Sequence, residues 1–428
     1  MARGAVRQSR ALDESDANVS DLAPFRGLRY TTGSDLTAVT APPYDVIDAE
    51  ERAALLASDP NNSVRLILPD DASGDPYEGA ATTLAKWRAD GVLEVDAAPM
   101  LYSYRMEAPR LGGDSHRTMG VIGALALPAE VVPGAPEPSE VLPHERTLPK
   151  AKSDRLALLR ATRANFDPIW GLTLSSGLTE LVADVPSVAT ALDRSGVRHE
   201  LGLISDGHQV EAIRSLVGAQ PVVLADGHHR FETACTYRAE SADDGAGAIL
   251  CLVVELDDAQ LDVRPFHRLV SGAPDDLRAR LGKDGTFVVQ DRGTPTSAHL
   301  AGLLDDMDAS SSLGLVDGDG LALLVLNREQ GPSSRFEELP EPLRGIDAAR
   351  FDAAVRPYLD DATLSYRSDA GSVVAAVASG EANAAILLRR VTVGQIRAAA
   401  ASGVRMPEKT TYFAPKPLTG MVMRSLDE

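Results

Sequence analysis

Apolar residues fall in short runs divided by polar, proline and glycine punctuation, and the period of each run predicts an element. FRGLRY (25–30) reads as a short strand. APPYDVI (41–47) ends it, since two prolines cannot continue a strand or helix interior. A helix is predicted after Asp45, through DAEERAALLA, and NSVRLILP (62–69) alternates as a buried strand stopped by Pro69. A helix holding Leu84 and Trp87 is predicted over 75–90, then strands over 100–107 and 118–127. A Pro-, Glu- and Gly-rich loop at 128–143 leads to a helix in which Leu156, Leu159 and Arg163 keep helical spacing. DPIWGLTL (167–174), HELGLIS (199–205) and PVVLADG (221–227) read as strands, with helices at 208–217 and 230–240. GAILCLVVEL (247–256) carries the clearest strand signal. Further on, helices are predicted near 294–305 and 371–379, strands at 321–327 and 384–390, and a loop over the Asp/Ser/Gly-rich 305–320. Strands alternating with helices predict an α/β fold. Residues 1–20 read as a disordered leader, 21–270 as a catalytic α/β region, and 271–428 as a C-terminal lobe whose proline-punctuated tail is a candidate to return to the site.

Composition narrows the classes. Hydrophobic residues at 44% and charged residues at 24% are the balance of a soluble globular protein. No run of eighteen apolar residues occurs, so no membrane span is expected. The basic start lacks an apolar centre, so no signal peptide is expected. Cys235 and Cys251 lack metal-ligand spacing, which argues against a disulfide framework and for a reducing cytoplasm. A net charge of −20 disfavours duplex DNA and anionic lipid, and 4% aromatic residues disfavour a single-strand stacking platform.

The sharpest chemistry lies in ADGHHRFETA (225–234). An apolar strand runs straight into Asp226, Gly227, His228, His229 and Arg230, and a helix follows. A strand-to-helix turn leaves backbone N–H groups that favour an anion. Gly227 permits close approach or positive φ, Arg230 offers a bidentate fork, and the histidines add donors or acid–base groups. An ordinary connection with surface histidines is the plainer alternative. Asp226 is a candidate Mg²⁺ ligand, whereas adjacent histidines suit a transition metal poorly.

Three other segments carry candidate residues. LPHERTLPKAKSDR (142–155) places His144, Glu145, Arg146, Lys150, Lys152 and Arg155 together, a local sign opposite to the chain's own, which suits a phosphorylated ligand or simply a solvated face. In APPYDVI, Tyr44 precedes Asp45, which is either a general base toward a hydroxyl or the cap of the following helix. MPEKTTYFAPK (406–416) gathers Lys409, Thr410, Thr411, Tyr412 and Lys416 in a loop fit to close over a ligand or to tie down the terminus. His267 and Arg268, Arg65, Arg26 and Arg29 are weaker candidates.

Taken together, PFRGLRY, APPYDVI, NSVRLILP, PHERTLPKAKSDRLALLRAT, LADGHHRFETA, PFHRLV and MPEKTTYFAPKPLTG resemble the signature stretches of the family known as domain of unknown function ten-fifteen, from about Pro24 to Arg424. The strand, DGHHR and helix at 222–234 also resemble the phosphate-binding box of the ParB/sulfiredoxin-like superfamily. That resemblance implies a mixed sheet core with a nucleotide-binding element. In the superfamily's free-serine kinases a histidine-rich box is similar to Asp226, Gly227, His228, His229 and Arg230, and their early catalytic carboxylate has Asp45 or Glu50 as its nearest counterpart here. The chain departs from the superfamily in its length, in lacking a DNA-binding helix-turn-helix, and in having no cysteine in the box for sulfiredoxin chemistry.

The resemblance implies a kinase that uses ATP or ADP and Mg²⁺ to phosphorylate a small hydroxylated metabolite, with free L-serine giving O-phosphoserine as the specific case. In it Asp226, Gly227, His228, His229, Arg230 and Arg155 bind the nucleotide, while Asp45, His229 and Lys150 act catalytically. His144, Glu145, Arg146, Lys152, Lys409 and Tyr412 meet the substrate. A phosphatase with the same cradle and a nucleotide-binding regulatory protein are the alternatives. The partners expected are a small-molecule substrate and a nucleotide, with nucleic acid disfavoured and no membrane.

Overall fold

The computed structural model describes residues 20–70, 74–109, 115–128, 141–143, 151–283, 285–327, 336 and 338–428. The predicted leader, apart from Ser20, lies outside them, as do His144, Glu145, Arg146 and Lys150. Lys152 belongs to the helix Ala151–Thr162, but its side chain is outside the described set.

The chain is α/β with mixed sheets. Among the described residues, nine strands form the largest sheet. Its order runs Val141–Pro143, Val222–Asp226, Ile169–Thr173, Ala248–Glu255, Ser115–Ala126, Leu101–Pro109, Arg198–Ile204 and Ser187–Leu192, with Leu22–Ala23 beside Ser115–Ala126. The strand Val222–Asp226 runs parallel to Val141–Pro143 and antiparallel to Ile169–Thr173. Val222, Val223 and Leu224 are fully buried, so this strand reads as a continuous apolar run rather than an alternating one.

A second, six-stranded sheet begins at His267 and is ordered Phe287–Gly293, Gly320–Leu326, Leu313–Asp317, Ala384–Leu387, His267–Ser271 and Thr363–Arg367. One apolar cluster joins the sheets, holding Trp170 and Leu252 from the first, Phe413 from the tail, and Leu315 and Ile386 from the second. The tail then crosses back. Tyr412–Ala414 pairs with Asp262–Arg264, and Met423–Ser425 lies between Gly27–Tyr30 and Ala164–Asn165. This return places residues 408–416 against the end of the strand Val222–Asp226.

Most predicted elements form, and two are corrected. NSVRLILP is not a strand: Val64–Ile67 is a helical turn with Val64, Leu66 and Ile67 buried. Asn62 decides this, because its side-chain amide donates to the carbonyls of Ala38 and Thr40 while its oxygen accepts from Val64 N–H. The stretch 305–320 is not a loop. The helix Ser297–Ser310 ends at Ser311, in the left-handed region, and Leu313–Asp317 is an interior strand. The helix expected through DAEERAALLA forms as Ala49–Ser58, and its cap is Asp48 rather than Asp45, accepting from Glu51 N–H at 2.8 Å.

Candidate functional site

The box strand ends at Asp226 and the helix His228–Glu240 begins two residues later. Gly227 makes this turn possible twice over. Its φ is +87°, and a Cβ there would meet Ile169 Cγ2 at 2.8 Å. Phe231 N–H makes a helical bond to Gly227 carbonyl at 2.9 Å. The first amides of a helix have no acceptor within it, so the residues ahead of Phe231 form a helix mouth.

That mouth opens on a cleft of about 480 Å³. Three segments far apart in the chain meet there: Tyr44 and Asp45, Asp226 to Arg230, and Glu408 to Lys416. Of the residues expected at a site, the structure brings Asp45, Asp226, Gly227, His228, His229, Arg230, Lys409 and Tyr412 onto this one surface. His228 and His229 lie on the lining with the helix mouth.

A chain of alternating charges underlies the cleft. Arg230 pairs with Asp167 and with Asp226, the latter at 2.9 Å, and donates to Pro168 carbonyl at 2.7 Å. Lys416 closes the other side of Asp226. The side chains of Arg230, Asp167 and Lys416 are 12%, 8% and 9% exposed, so water screens these pairs little. Burial by itself raises the Asp226 carboxyl, but Lys416 and Arg230 outweigh it and hold that carboxyl well below the usual carboxylate range. Burial disfavours charge on Lys416 too, yet Asp226 and Asp45 raise its pKa. Asp167 differs: burial pushes its carboxyl up against the pull of Arg230 and Arg155. The fork of Arg230, expected to hold phosphate, is engaged by two carboxylates and a carbonyl. The oxygens of Asp226 are engaged by Lys416 and Arg230, which leaves that carboxylate unsuited to Mg²⁺.

Asp45 sits in the short 3₁₀ turn Tyr44–Val46. It caps nothing, since Asp48 caps the following helix, and it makes no hydrogen bond or ion pair among the described residues. Tyr44 beside it is half-buried, and burial pushes its hydroxyl up to about 12. Arg155 lies behind this tyrosine, its guanidinium 4.2 Å from the ring centroid. It donates to Ile67 carbonyl at 2.8 Å and to Asp154, and with Asp167 and Arg230 it lines a separate cavity of about 50 Å³. The nucleotide contact expected of Arg155 is therefore corrected: it braces Tyr44 from outside the cleft.

The loop opposite is held by Arg268, a fully buried cation. Its guanidinium donates to the carbonyls of Phe266, Lys409 and Glu408, at 2.6, 2.7 and 3.1 Å. Lys409 takes a φ of +52°, uncommon for a side-chain-bearing residue and a form of strain that collects at ligand sites. His267 turns away into the second sheet, where its Nδ1 accepts from Leu388 N–H and burial pushes its pKa down to about 4. Arg26, Arg29 and Arg65 serve structure, bonding Asp96 carbonyl, the Asp96 carboxylate and Leu56 carbonyl respectively. Among the described residues no three His, Cys, Asp or Glu side chains gather as a metal centre.

Sequence reasoning missed Asp167, Phe266, Tyr366 and Glu408. Phe266 is next to the His267 it singled out, and Glu408 next to Lys409. Tyr366 and Asp167 carried no local signal, because each becomes a site residue only through a partner far along the chain.

No curated protein matches the chain. Several solved structures resemble it in part, three of them as follows. A conserved hypothetical protein from Pyrococcus furiosus is 12% identical, with 67% of this chain and 93% of that one covered and a TM-score of 0.37. A free serine kinase in complex with AMP is 13% identical, with 66% and 89% covered and a TM-score of 0.35. SbnI with a C-terminal truncation, from Staphylococcus aureus, is 11% identical, with 66% and 84% covered and a TM-score of 0.36. No described helix is long and apolar enough to cross a membrane. Residues 22–349 match the family described as protein of unknown function, DUF1015, and the chain belongs to that family.

Proposed function

We propose that the cleft binds the phosphates of a nucleotide, ATP or ADP, and passes the terminal phosphoryl group to the hydroxyl of a small metabolite, with free L-serine as the specific acceptor. The observation that carries this reading is the meeting of a helix mouth, two lysines and two histidines in one cleft with the carboxylate of Asp45, which makes no hydrogen bond among the described residues. Helix amides and their dipole favour an anion. In a chain of net −20, the three acids of the lining are matched by Arg230, Lys409 and Lys416, so an anion is not repelled.

In this mechanism the amides at 227–230 and the two histidines orient the phosphates. The acceptor hydroxyl oxygen attacks the terminal phosphorus as the bond to the bridging oxygen breaks. Asp45 accepts the hydroxyl proton, and the nucleotide leaves one phosphate shorter. His229 and Lys409 offset the charge that develops on the transferred group, the main demand of phosphoryl transfer. Arg230 acts as a positioning residue, fixing Asp226 and, through it, Lys416. Mg²⁺, when bound with the phosphates, would neutralise part of their charge and needs only one or two protein carboxylates to do so. Residues 21–270 supply the cradle and base, and the lobe from 271 supplies the loop that faces them.

The test is incubation of the pure protein with serine and ATP or ADP. Phosphoserine is expected, and Asp45→Asn should lower turnover about 10²–10⁴-fold with nucleotide affinity retained. Phosphate release from phosphoserine instead would mark a phosphatase. Tight nucleotide binding without turnover, across a panel of hydroxylated metabolites, would mark a regulatory protein and remove the kinase reading.

A further inference from the structure

The chain is poor in aromatic residues, with 8 Phe, 9 Tyr and 2 Trp in 428, yet Tyr44, Phe266, Tyr366 and Tyr412 all line this one cleft. They are half-buried, unlike Phe351 and Phe413, which are core residues at 1% exposure. Phe266 stands between the two tyrosines from the lobe. Tyr366 meets it at 6.4 Å and 79°, and Tyr412 at 5.3 Å and 80°, both edge-on. Cations fix the group further. Arg268 lies 5.1 Å from the Tyr366 centroid, Lys409 5.1 Å from Phe266, and Lys416 5.1 Å from Tyr412. Rings held this way lose little freedom when a ligand arrives.

We infer that this aromatic wall stacks the base of a nucleotide, so that the phosphoryl donor is a nucleotide and not inorganic pyrophosphate or polyphosphate. The inference rests on the phosphate-binding reading above and adds to it a site for a planar ring. The wall and the helix mouth line the same cleft, whose volume is in the range of small-molecule sites. A ligand with phosphate at one end and a flat ring at the other uses both, whereas a bare polyphosphate leaves the wall idle. Glu408 accepts from the Tyr366 hydroxyl at 3.3 Å and, with Ser365, puts polar groups at the wall for the base edge.

Calorimetric titration of the full chain with ADP, and with pyrophosphate as the probe lacking a base, tests this. The wild type should bind ADP at least about tenfold more tightly than pyrophosphate, since base–aromatic stacking is worth about 1–3 kcal/mol and about 1.4 kcal/mol is tenfold. Phe266→Leu and Tyr366→Leu should each weaken ADP by about tenfold or more and leave pyrophosphate within about twofold, while Tyr366→Phe keeps ADP affinity. Equal ADP affinity in folded leucine variants, or ADP and pyrophosphate weakening together, overturns the stacking role. Wild-type protein that binds pyrophosphate as tightly as ADP overturns it too, with the phosphate cradle left standing. Wild-type protein that binds neither removes the cradle and the base site at once. The wild-type comparison requires no variant, so misfolding of a leucine substitution cannot mask the answer.

Discussion

Single residues set what the turn after Ala225 can hold. Gly227 combines a left-handed φ with a Cβ position already filled by Ile169. Gly227→Ala should therefore cost about 2–4 kcal/mol, from backbone strain and overpacking together, read as a lower melting temperature. Arg230 joins two carboxylates, so Arg230→Met leaves both without it in a buried place and should destabilise the protein by about 3–5 kcal/mol. Lys416→Met should cost less, because Arg230 still faces Asp226. The sign of its pH dependence follows from the pair. Asp226 is held below its unfolded pKa, so its contribution is present above about pH 4 and is lost as pH falls through the folded value. Lys416 is raised, so its contribution is present below about pH 10 and is lost as pH rises beyond that. The gap between the melting curves of Lys416→Met and wild type should be smaller at pH 3 than at pH 7, because the contribution of Asp226 begins to fall once pH drops below about 4; an equal gap at both pH values contradicts the pairing.

At the scale of elements, neighbouring acids have separate duties. Asp48→Ala removes a helix cap and should cost about 1 kcal/mol of stability with turnover retained, whereas Asp45→Asn should do the reverse. Thermal melts and phosphoserine formation on the same two variants check both halves. Arg268 holds the main chain of 408–409, so Arg268→Met should weaken nucleotide binding through a loosened loop, seen as faster amide exchange at 408–412. The legibility of these elements differs for physical reasons. Val222–Asp226 and Ala248–Glu255 are apolar runs of strand length bounded by polar residues, and they could be read directly. Val64–Ile67 could not. Four residues, with Arg65 among them, are too few to show a period of their own, and Asn62 settles it by bonding backbone that the local pattern does not include. Leu313–Asp317 was hidden by flanking Asp, Ser and Gly that mark its two turns.

The whole molecule decides what no segment shows alone. DGHHR was readable as a turn from strand to helix because polar residues interrupt two apolar elements there. Its partners were not. Asp167 is an isolated acid until the fold puts it against Arg230, and Lys416 faces Asp226 only because the tail returns to pair Tyr412–Ala414 with Asp262–Arg264. The second sheet thus takes part in the site, through Tyr366 and the loop that Arg268 secures. Amide hydrogen exchange with and without ADP is the most direct measurement of this arrangement. Added ADP should slow exchange together at 44–46, 227–231 and 408–412, three segments far apart in the chain that line the cleft. Protection of the 227–231 turn alone, or of none of the three, would contradict a nucleotide site built from all of them.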